Sequence, residues 1–470
     1  LSCLDAFFGG AAGGGKILSN DGVVLTPFGW KFGRDLHVGD LINNSDGSIQ
    51  KIIQIKPEVH LPLWRVHFSD GTSTNVAEDH LWLSWRGRKS RKIGNERIGG
   101  YQSAEVVETK TLKEWLEHGY APQIPICKPQ PFNRTTKEID RLDPYLLGVL
   151  LGDGCITNTQ SQINITCDDS DKVHYQAIFG DDDISYNTKK NVRFLGEKNK
   201  YIKRKLALYK LLGTRSTTKF IPDVYKYSSI DTRFAVVQGL MDTDGYSSPN
   251  KNACYFDSTS EMLADDLMFI LRSLGCVVTK TCGEGKYKNT NGEYVVCNDV
   301  YSLYIKAENP DTLFRMKRKQ HGVFGKNHVQ KSVVKIEIDG EITGRCISVS
   351  NPNGLYITND FIVTHNSDAL LMAALQYVDI PGYNALLLRD TYANLIKPEG
   401  LLARADEWLA NTDARWNGDN KSWVFPSGAS ISFGYLDGPR DHFNFQGAIC
   451  SSLGGLEAQR KRKGTFLYIS

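Results

Sequence analysis

A run that can break its own backbone stands late in the chain, at His365, Asn366 and Ser367. The side-chain amide of Asn366 can attack its own carbonyl, close a succinimide and release the bond to Ser367. His365 stands beside it to polarise that carbonyl or protonate the departing amine. The Ser367 hydroxyl can accept an acyl group before that cleavage and then pass it to its own freed nitrogen, where an amide is the stable product. Cys346, in "GRCISVSNPNGLYITNDFIVTHN", is a second acyl acceptor. A thiol attacks as the thiolate and titrates near about 8.5 when unperturbed, so a base or a pKa-lowering neighbour is expected beside it.

At the other end, "FFGGAAGGGK" stops one residue short of a phosphate-binding loop, which needs Gly, four residues, Gly, Lys and then Ser or Thr. Gly10, Gly15 and Lys16 fit. Ile17 stands where a hydroxyl should ligate magnesium. The hydroxyl is found at Ser367, followed by "DALLMAALQYVDIPGYNALLLRDTY", which predicts an amphipathic helix, a turn at Pro381-Gly382 and a buried strand. Joining Lys16 to Ser367 restores a loop entering a helix, with Gly10, Gly15, Lys16 and Ser367 around the phosphates of ATP and its magnesium. Residues 17 to 366 are then an insertion, and its two ends carry the acyl-transfer groups.

The elements that position these groups come next. Short alternating runs such as "LWRVHFSDGTSTNV" and "VVKIEIDGEI" predict strands. The insertion opens with "ILSNDGVVLTPFGWKFGRDLHVGDLI" and closes with "GLYITNDFIVTHN"; these resemble the first and last blocks of inteins in the Hint (hedgehog/intein) family, over residues 17–135 and 332–366. The resemblance implies a compact all-β splicing fold. Most inteins begin with Cys or Ser, so Ile17 leaves two alternatives: the element is dead, or another residue supplies the first nucleophile. The arrangement is similar to class 3 inteins, which combine a Trp two residues after a His, a Cys in the closing region and a Thr before the penultimate His. Here those are Trp82 after His80, Cys346 and Thr364. The resemblance implies that Cys346 attacks the Lys16 carbonyl directly, that His80 protonates the leaving amine of Ile17, and that Trp82 and Thr364 position and activate the thiol. Ala77 departs from the pattern, since many inteins place Thr three residues before that His.

Between the two Hint portions, "LLGVLLGDG" (Leu146 to Gly154) and "VQGLMDTDG" (Val237 to Gly245) resemble the paired motifs of LAGLIDADG homing endonucleases, in an α+β insert over residues 136–331. Each motif is an apolar helix with a small residue, Gly148 or Gly239, at its packing face. Close approach of the two helices would set Asp153 beside Asp244. Two adjacent carboxylates are what Mg2+ needs to activate water at a phosphodiester. Lys219, in "KFIP", matches a lysine that family members often hold near the site, and the implied partner is double-stranded DNA.

The formal charge of +3 is too small to identify partners, but basic runs at residues 86–97 and 315–331 supply candidate phosphate contacts: Arg86, Arg88, Lys89, Arg91, Lys92, Lys317, Arg318 and Lys319. Ten scattered cysteines without a CxxC pair exclude a structural zinc site of that kind and a secreted disulfide framework. No apolar run reaches membrane-spanning length, and a cytoplasmic protein in the host cell of a phage or prophage is expected. Residues 1–16 and 367–470 resemble the start of a phage terminase large subunit, a partial α/β P-loop ATPase, on the rejoined loop, "LLLRDTY", "WVFPSGASISFGY" and "FQGA". After Ala448 that family continues through an apolar strand to an Asp-Glu pair, which "ICSSLGGLEAQRKRKGTFLYIS" is read as lacking, so weak ATP hydrolysis is expected. The expected whole is multidomain, with a homing nuclease inside a splicing element inside an ATPase. The alternative is a nucleotide-binding terminase fragment carrying a splicing-dead insertion.

Overall fold

The computed structural model describes residues 5–8, 18–55, 57–78, 80–87, 104–133, 141–158, 161–180, 183–187, 191–248, 252–288, 292–320, 327–351, 353–365, 371, 374–375, 377–389, 392–396, 401–435 and 452–455. Lys16, Ile17, Asn366 and Ser367 lie outside them, as do Gly10, Gly15, Arg88, Lys89, Arg91, Lys92 and the FQGA run.

Strands from both ends of the insertion build one curved sheet. Its path runs Gly29–Phe32, Val23–Thr26, Leu355–Thr358, Ile362–His365, Leu81–Gly87, Ala121–Ile124, Lys331–Arg345, Val59–Phe68 and Ser73–Val76. The alternation read in "LWRVHFSDGTSTNV" becomes a hairpin in which Trp64 pairs with Val76. Trp64, Val66, Phe68, Val76 and Trp82 turn into a common core, so the apolar half of each alternating run is what closes the sheet. The expected all-β unit also carries a helix, Thr109–Glu117, whose Leu112 and Trp115 cover the same core.

Residues 141–320 form two half-units of like design. In each, a helix runs into a four-stranded antiparallel sheet: Pro144–Leu151 leads into Gly154–Cys155, and Ile230–Thr243 leads into Gly245–Ser248. The first helix starts where Asp143 accepts the amide of Leu146 at 2.8 Å and Pro144 supplies a preset first turn. Ser229 caps the second, taking the Thr232 amide at 3.2 Å. The helices touch through glycine, as expected. A Cβ on Gly148 would sit 2.9 Å from the Gly239 Cα and closer still to the Val236 carbonyl oxygen, which is backbone and cannot rotate away. Gly148→Ala is therefore expected to destabilise the insert by about 1 to 3 kcal/mol. Urea unfolding checks this; an unchanged midpoint contradicts the tight helix crossing.

Residues 141–320 are mounted on the first sheet by buried charge. Arg233 is fully buried, donates to the carbonyls of Ser228 and Gln130 and to Ser273 Oγ, and stacks on Phe132 at 4.7 Å. Arg272 bonds Asp360 at 2.7 Å, and Lys331 bonds Asp70 at 2.9 Å. Asp360 and Phe361 both hold left-handed backbone, φ 55° and 57°, which costs energy away from glycine. Phe361 is pinned between Trp30 at 5.1 Å and Phe269 of the insert at 5.3 Å, and this corner directly precedes the strand Ile362–His365.

The flanks assemble into a separate sheet. Asp5–Phe8 runs parallel to Ser452–Gly455, which runs parallel to Asn384–Arg389, followed by Ser430–Tyr435, Ser422–Val424 and Arg415–Asn417. The reading that no strand follows Ala448 is corrected here: Ser452–Gly455 occupies an interior slot between the two flanks. Its Ser-Leu-Gly-Gly composition has low strand propensity, so only tertiary pairing identifies it. Among the described residues no helix is long and apolar enough to cross a membrane.

Candidate functional site

The strand Ile362–His365 lies between Leu355–Thr358 and Leu81–Gly87, with Tyr356 opposite Thr364 and His365 opposite Leu81. The chain enters the same sheet at Leu18, which pairs with Arg345, the residue before Cys346. Leu18 and His365, the described residues nearest the two ends of the expected insertion, thus belong to one sheet, with Cys346 next to the partner of Leu18. His80 is buried and its Nε2 hydrogen-bonds Thr364 Oγ1. The ring is held from behind, because its amide bonds the Ala77 carbonyl at 3.2 Å and its carbonyl accepts the Thr109 amide at 2.9 Å and hydroxyl at 3.1 Å. Ala77 keeps a backbone role but offers no hydroxyl.

Trp82, expected to help position Cys346, lies against His80. Its indole N–H donates to Thr109 Oγ1 at 3.0 Å, and its ring packs edge-on to His80 with centroids 5.0 Å apart. It fixes the His80 ring by shape and through Thr109. Cys346 is half-buried. Sequence reasoning missed Tyr356, which is buried beside Thr364 and lines the same cavity of about 320 Å3 as Leu18, His80 and Thr364. Burial and then the neighbouring Cys346 charge push the Tyr356 phenol well above its usual range, against a hydrogen bond from Thr364. The signal was available only as strand pairing, since "GLYITND" carries no motif at that tyrosine.

At the second centre Asp153 and Asp244 leave the C-terminal ends of the two touching helices. Burial, and then the charge of Asp153, push the Asp244 carboxyl up to about 6, although its side chain reaches solvent. Burial raises Asp153 as well, against the attraction of Lys319 and Lys219. Lys219 is buried, with Nζ on the carbonyls of Leu150, Gly152 and Gly154 at 3.2, 2.8 and 3.0 Å, so it caps the first helix. Lys319 repeats that cap on the second helix, reaching Thr243 O at 2.8 Å and Gly245 O at 2.7 Å. Burial lowers both lysines from the usual range. An oxygen-only pair of carboxylates, both raised by burial and one of them further raised by the other's charge, fits a hard divalent cation.

Residues 231–315 match the profile of the LAGLIDADG-like domain, from the second motif helix onward. This part of the chain is similar to LAGLIDADG-like domains. The chain is 26% identical over 380 residues to the replicative DNA helicase DnaB of Mycobacterium intracellulare, covering 76% of this chain and 59% of that protein. It is 26% identical over 183 residues to the homothallic switching endonuclease of Saccharomyces cerevisiae, covering 36% of this chain and 30% of that protein. The chain thus spans less than two thirds of either relative's length. A crystal structure of the gp41-1 intein with three substitutions is also similar, at 27% identity over 15% of this chain and 54% of that chain, with a TM-score of 0.14.

Among the described residues, three of the four basic side chains expected to meet DNA are committed within the fold. Arg86 stacks against Trp115 at 5.3 Å and Tyr120 at 5.4 Å. Arg318 makes a two-pronged bond to Asp171 at 2.6 and 2.5 Å, near Asp153. Lys319 belongs to the helix cap. Lys317 is exposed and keeps the assignment as a candidate phosphate contact.

The raised carboxyls set a pH dependence. The folded chain retains protons that the unfolded chain releases near about pH 4, so stability falls as pH climbs from about 4 to about 6. A bound divalent ion offsets that repulsion. Calcium or magnesium is therefore expected to raise the melting temperature more at pH 7 than at pH 5, by calorimetry; equal shifts at the two values contradict a metal site at Asp153 and Asp244.

Proposed function

We propose that the chain is a self-splicing precursor that excises residues 17–366 and joins Lys16 to Ser367, with a DNA-cutting module carried inside the excised part. The observation that carries this reading is convergence. Leu18 beside Cys346, and the strand ending at His365, enter one sheet around His80 and Thr364.

The Cys346 thiolate attacks the carbonyl of Lys16, and the amine of Ile17 leaves with a proton from His80. Thr364 and Trp82 hold His80 in place for that transfer. The acyl group passes from Cys346 to the Ser367 hydroxyl. Asn366 then closes on its own carbonyl, assisted by His365, and frees Ser367, whose amine takes the acyl group to give the new peptide bond. No metal is needed in this sequence.

In the nuclease module, Asp153 and Asp244 would hold Mg2+, which when bound supplies an activated water and charge stabilisation at phosphodiesters. Lys219 and Lys319 fix the helix ends that present those carboxylates, and duplex DNA lies across the two antiparallel sheets. The host is read as a terminase-type P-loop ATPase. Support for it is the shared sheet of Asp5–Phe8 with Asn384–Arg389, which leaves Lys16 and Ser367 in the connections of a single unit. Excision is expected to create ATP and magnesium binding that the precursor lacks.

Mass spectrometry of the chain after expression tests the proposal. A joined peptide running through Gly15, Lys16, Ser367 and Asp368, together with an excised product starting at Ile17, is expected. A full-length chain that persists under all reducing and pH conditions favours the splicing-dead alternative.

A further inference from the structure

We propose that Arg272, which belongs to the insert, is a positioning residue for splicing: through Asp360 it holds a strained corner that sets the strand carrying Thr364 and His365. The inference rests on the splicing reading and adds to it a residue from outside the splicing sheet.

The corner is unfavourable by itself. Asp360 and Phe361 take left-handed backbone one after the other, where a side chain crowds the carbonyl that follows, so the pair persists only because its surroundings hold it. One face of the helix Glu261–Ser273 does the holding. Phe269 and Arg272 stand three residues apart on it, the spacing that sets two side chains next to each other. The Phe269 ring meets that of Phe361 at 5.3 Å, and Arg272 Nη1 donates to Asp360 Oδ1 at 2.7 Å. The guanidinium is itself fixed, since Nη2 donates to the Val278 carbonyl at 3.0 Å and lies 4.0 Å from the Asp70 carboxylate. Lys331 closes the corner from the sheet. Its Nζ donates to the Asp360 carbonyl at 3.2 Å and ion-pairs with Asp70 at 2.9 Å. Arg272, Lys331 and Asp70 are all buried, where water competes little for these bonds.

The place of the corner gives it a consequence for the reaction. Asn359, just before it, donates to the Ser73 carbonyl at 2.8 Å and accepts from Thr74 Oγ1 at 3.0 Å. The strand Ile362–His365 begins immediately after it. The chain is thus tied to one strand on entering the corner and must leave it in register with two others, with Thr364 opposite Tyr356 and His365 opposite Leu81. Side chains alternate along a strand, so a slip of one residue at its start would carry Thr364 off His80 and turn His365 to the other face. Arg272 works one step removed from the chemistry, by fixing where that strand begins.

The test compares two substitutions of Asp360 in the full chain. Asp360→Ala and Asp360→Gly lose the same bond to Arg272, but glycine takes left-handed backbone without the steric cost and alanine does not. Joined product is followed against time by gel and intact mass. Splicing should slow about tenfold in Asp360→Ala and in Arg272→Met, and stay within about twofold of the unaltered chain in Asp360→Gly. Combining Arg272→Met with Asp360→Gly should recover most of the rate that Arg272→Met loses. A residue that only fastens the insert to the sheet predicts instead that the alanine and glycine variants splice alike and that the double variant is no faster than Arg272→Met; either result overturns the inference. If Arg272→Met does not fold, the comparison at Asp360 decides, since both of those variants keep the buried arginine. Amide hydrogen exchange over residues 355–365, which the precursor and the excised product share, makes the same comparison without splicing. Faster exchange in Asp360→Ala than in Asp360→Gly is expected, and equal exchange overturns the inference. A chain that never splices therefore sinks the splicing reading through its products, while the hold of Arg272 on the strand is read from the exchange.

Discussion

Cys346→Ala is expected to leave the chain full length, with cleavage at Lys16 reduced by more than about a hundredfold, because no other thiol or hydroxyl is offered to that carbonyl in the direct-attack scheme. The position is half-buried between the long strand Lys331–Arg345 and the short strand Ile347–Val349, and alanine removes only the sulfur. Folding should therefore be nearly unaffected, which thermal melting checks. Because acyl transfer to Cys346 precedes every later joining step, no ligated product should form either. In this scheme the variant is not merely slower at one bond; ligation vanishes with it. Release of Ser367 by Asn366 alone is expected to survive as a side reaction, since succinimide closure uses only His365 and the amide. Gel analysis with intact mass distinguishes these products, and normal ligation in Cys346→Ala sinks the scheme.

Asp153→Asn and Asp244→Asn are expected to abolish DNA cleavage, each by about a thousandfold or more, since each removes half of a paired carboxylate. The substrate is a plasmid carrying the joined form of the loop, in which the codons for Lys16 and Ser367 are adjacent. The same substitutions should raise the melting temperature at pH 7. Asparagine keeps the shape, and it removes a charge that burial disfavours at both positions and that Asp153 further disfavours at Asp244. Greater stability with lost activity marks a functional carboxylate; lower stability with retained cutting points instead to a structural acid. Splicing should be untouched in both, because these residues lie on the far ends of the insert's helices from the sheet that holds His80.

The parts of the molecule that were legible in the sequence are those in which chemistry and spacing coincide. His80, Trp82, Cys346 and Thr364 are far apart along the chain, yet their pattern named them together, and strand pairing brings His80 to Thr364 and Leu18 to the neighbour of Cys346. Gly148 and Gly239 were legible because only a residue without a side chain permits that helix contact. Tyr356 was not, since a tyrosine in an alternating strand reads as core until the register sets it opposite Thr364. The cap made by Lys319 was not legible for a related reason. In a basic run it reads as a phosphate contact, and only the return of the chain onto the second motif helix makes it the counterpart of Lys219. Arg86 looked available for phosphate, but Trp115 and Tyr120 come from a helix and a turn that no local pattern ties to it. The strand Ser452–Gly455 has almost no propensity of its own and exists through its two parallel neighbours.

The central claim is that an internal thiol takes the acyl group from Lys16. The most direct measurement uses the full chain with Asn366→Ala and Ser367→Ala together, which blocks both later steps and leaves the acyl group where it first lands. A branched protein with two amino termini, Leu1 and Ile17, is expected, joined through a thioester that peptide mapping locates at Cys346 and that hydroxylamine breaks. A chain that retains Leu1 as its single amino terminus, with an unmodified Cys346 thiol at every pH tried, contradicts it.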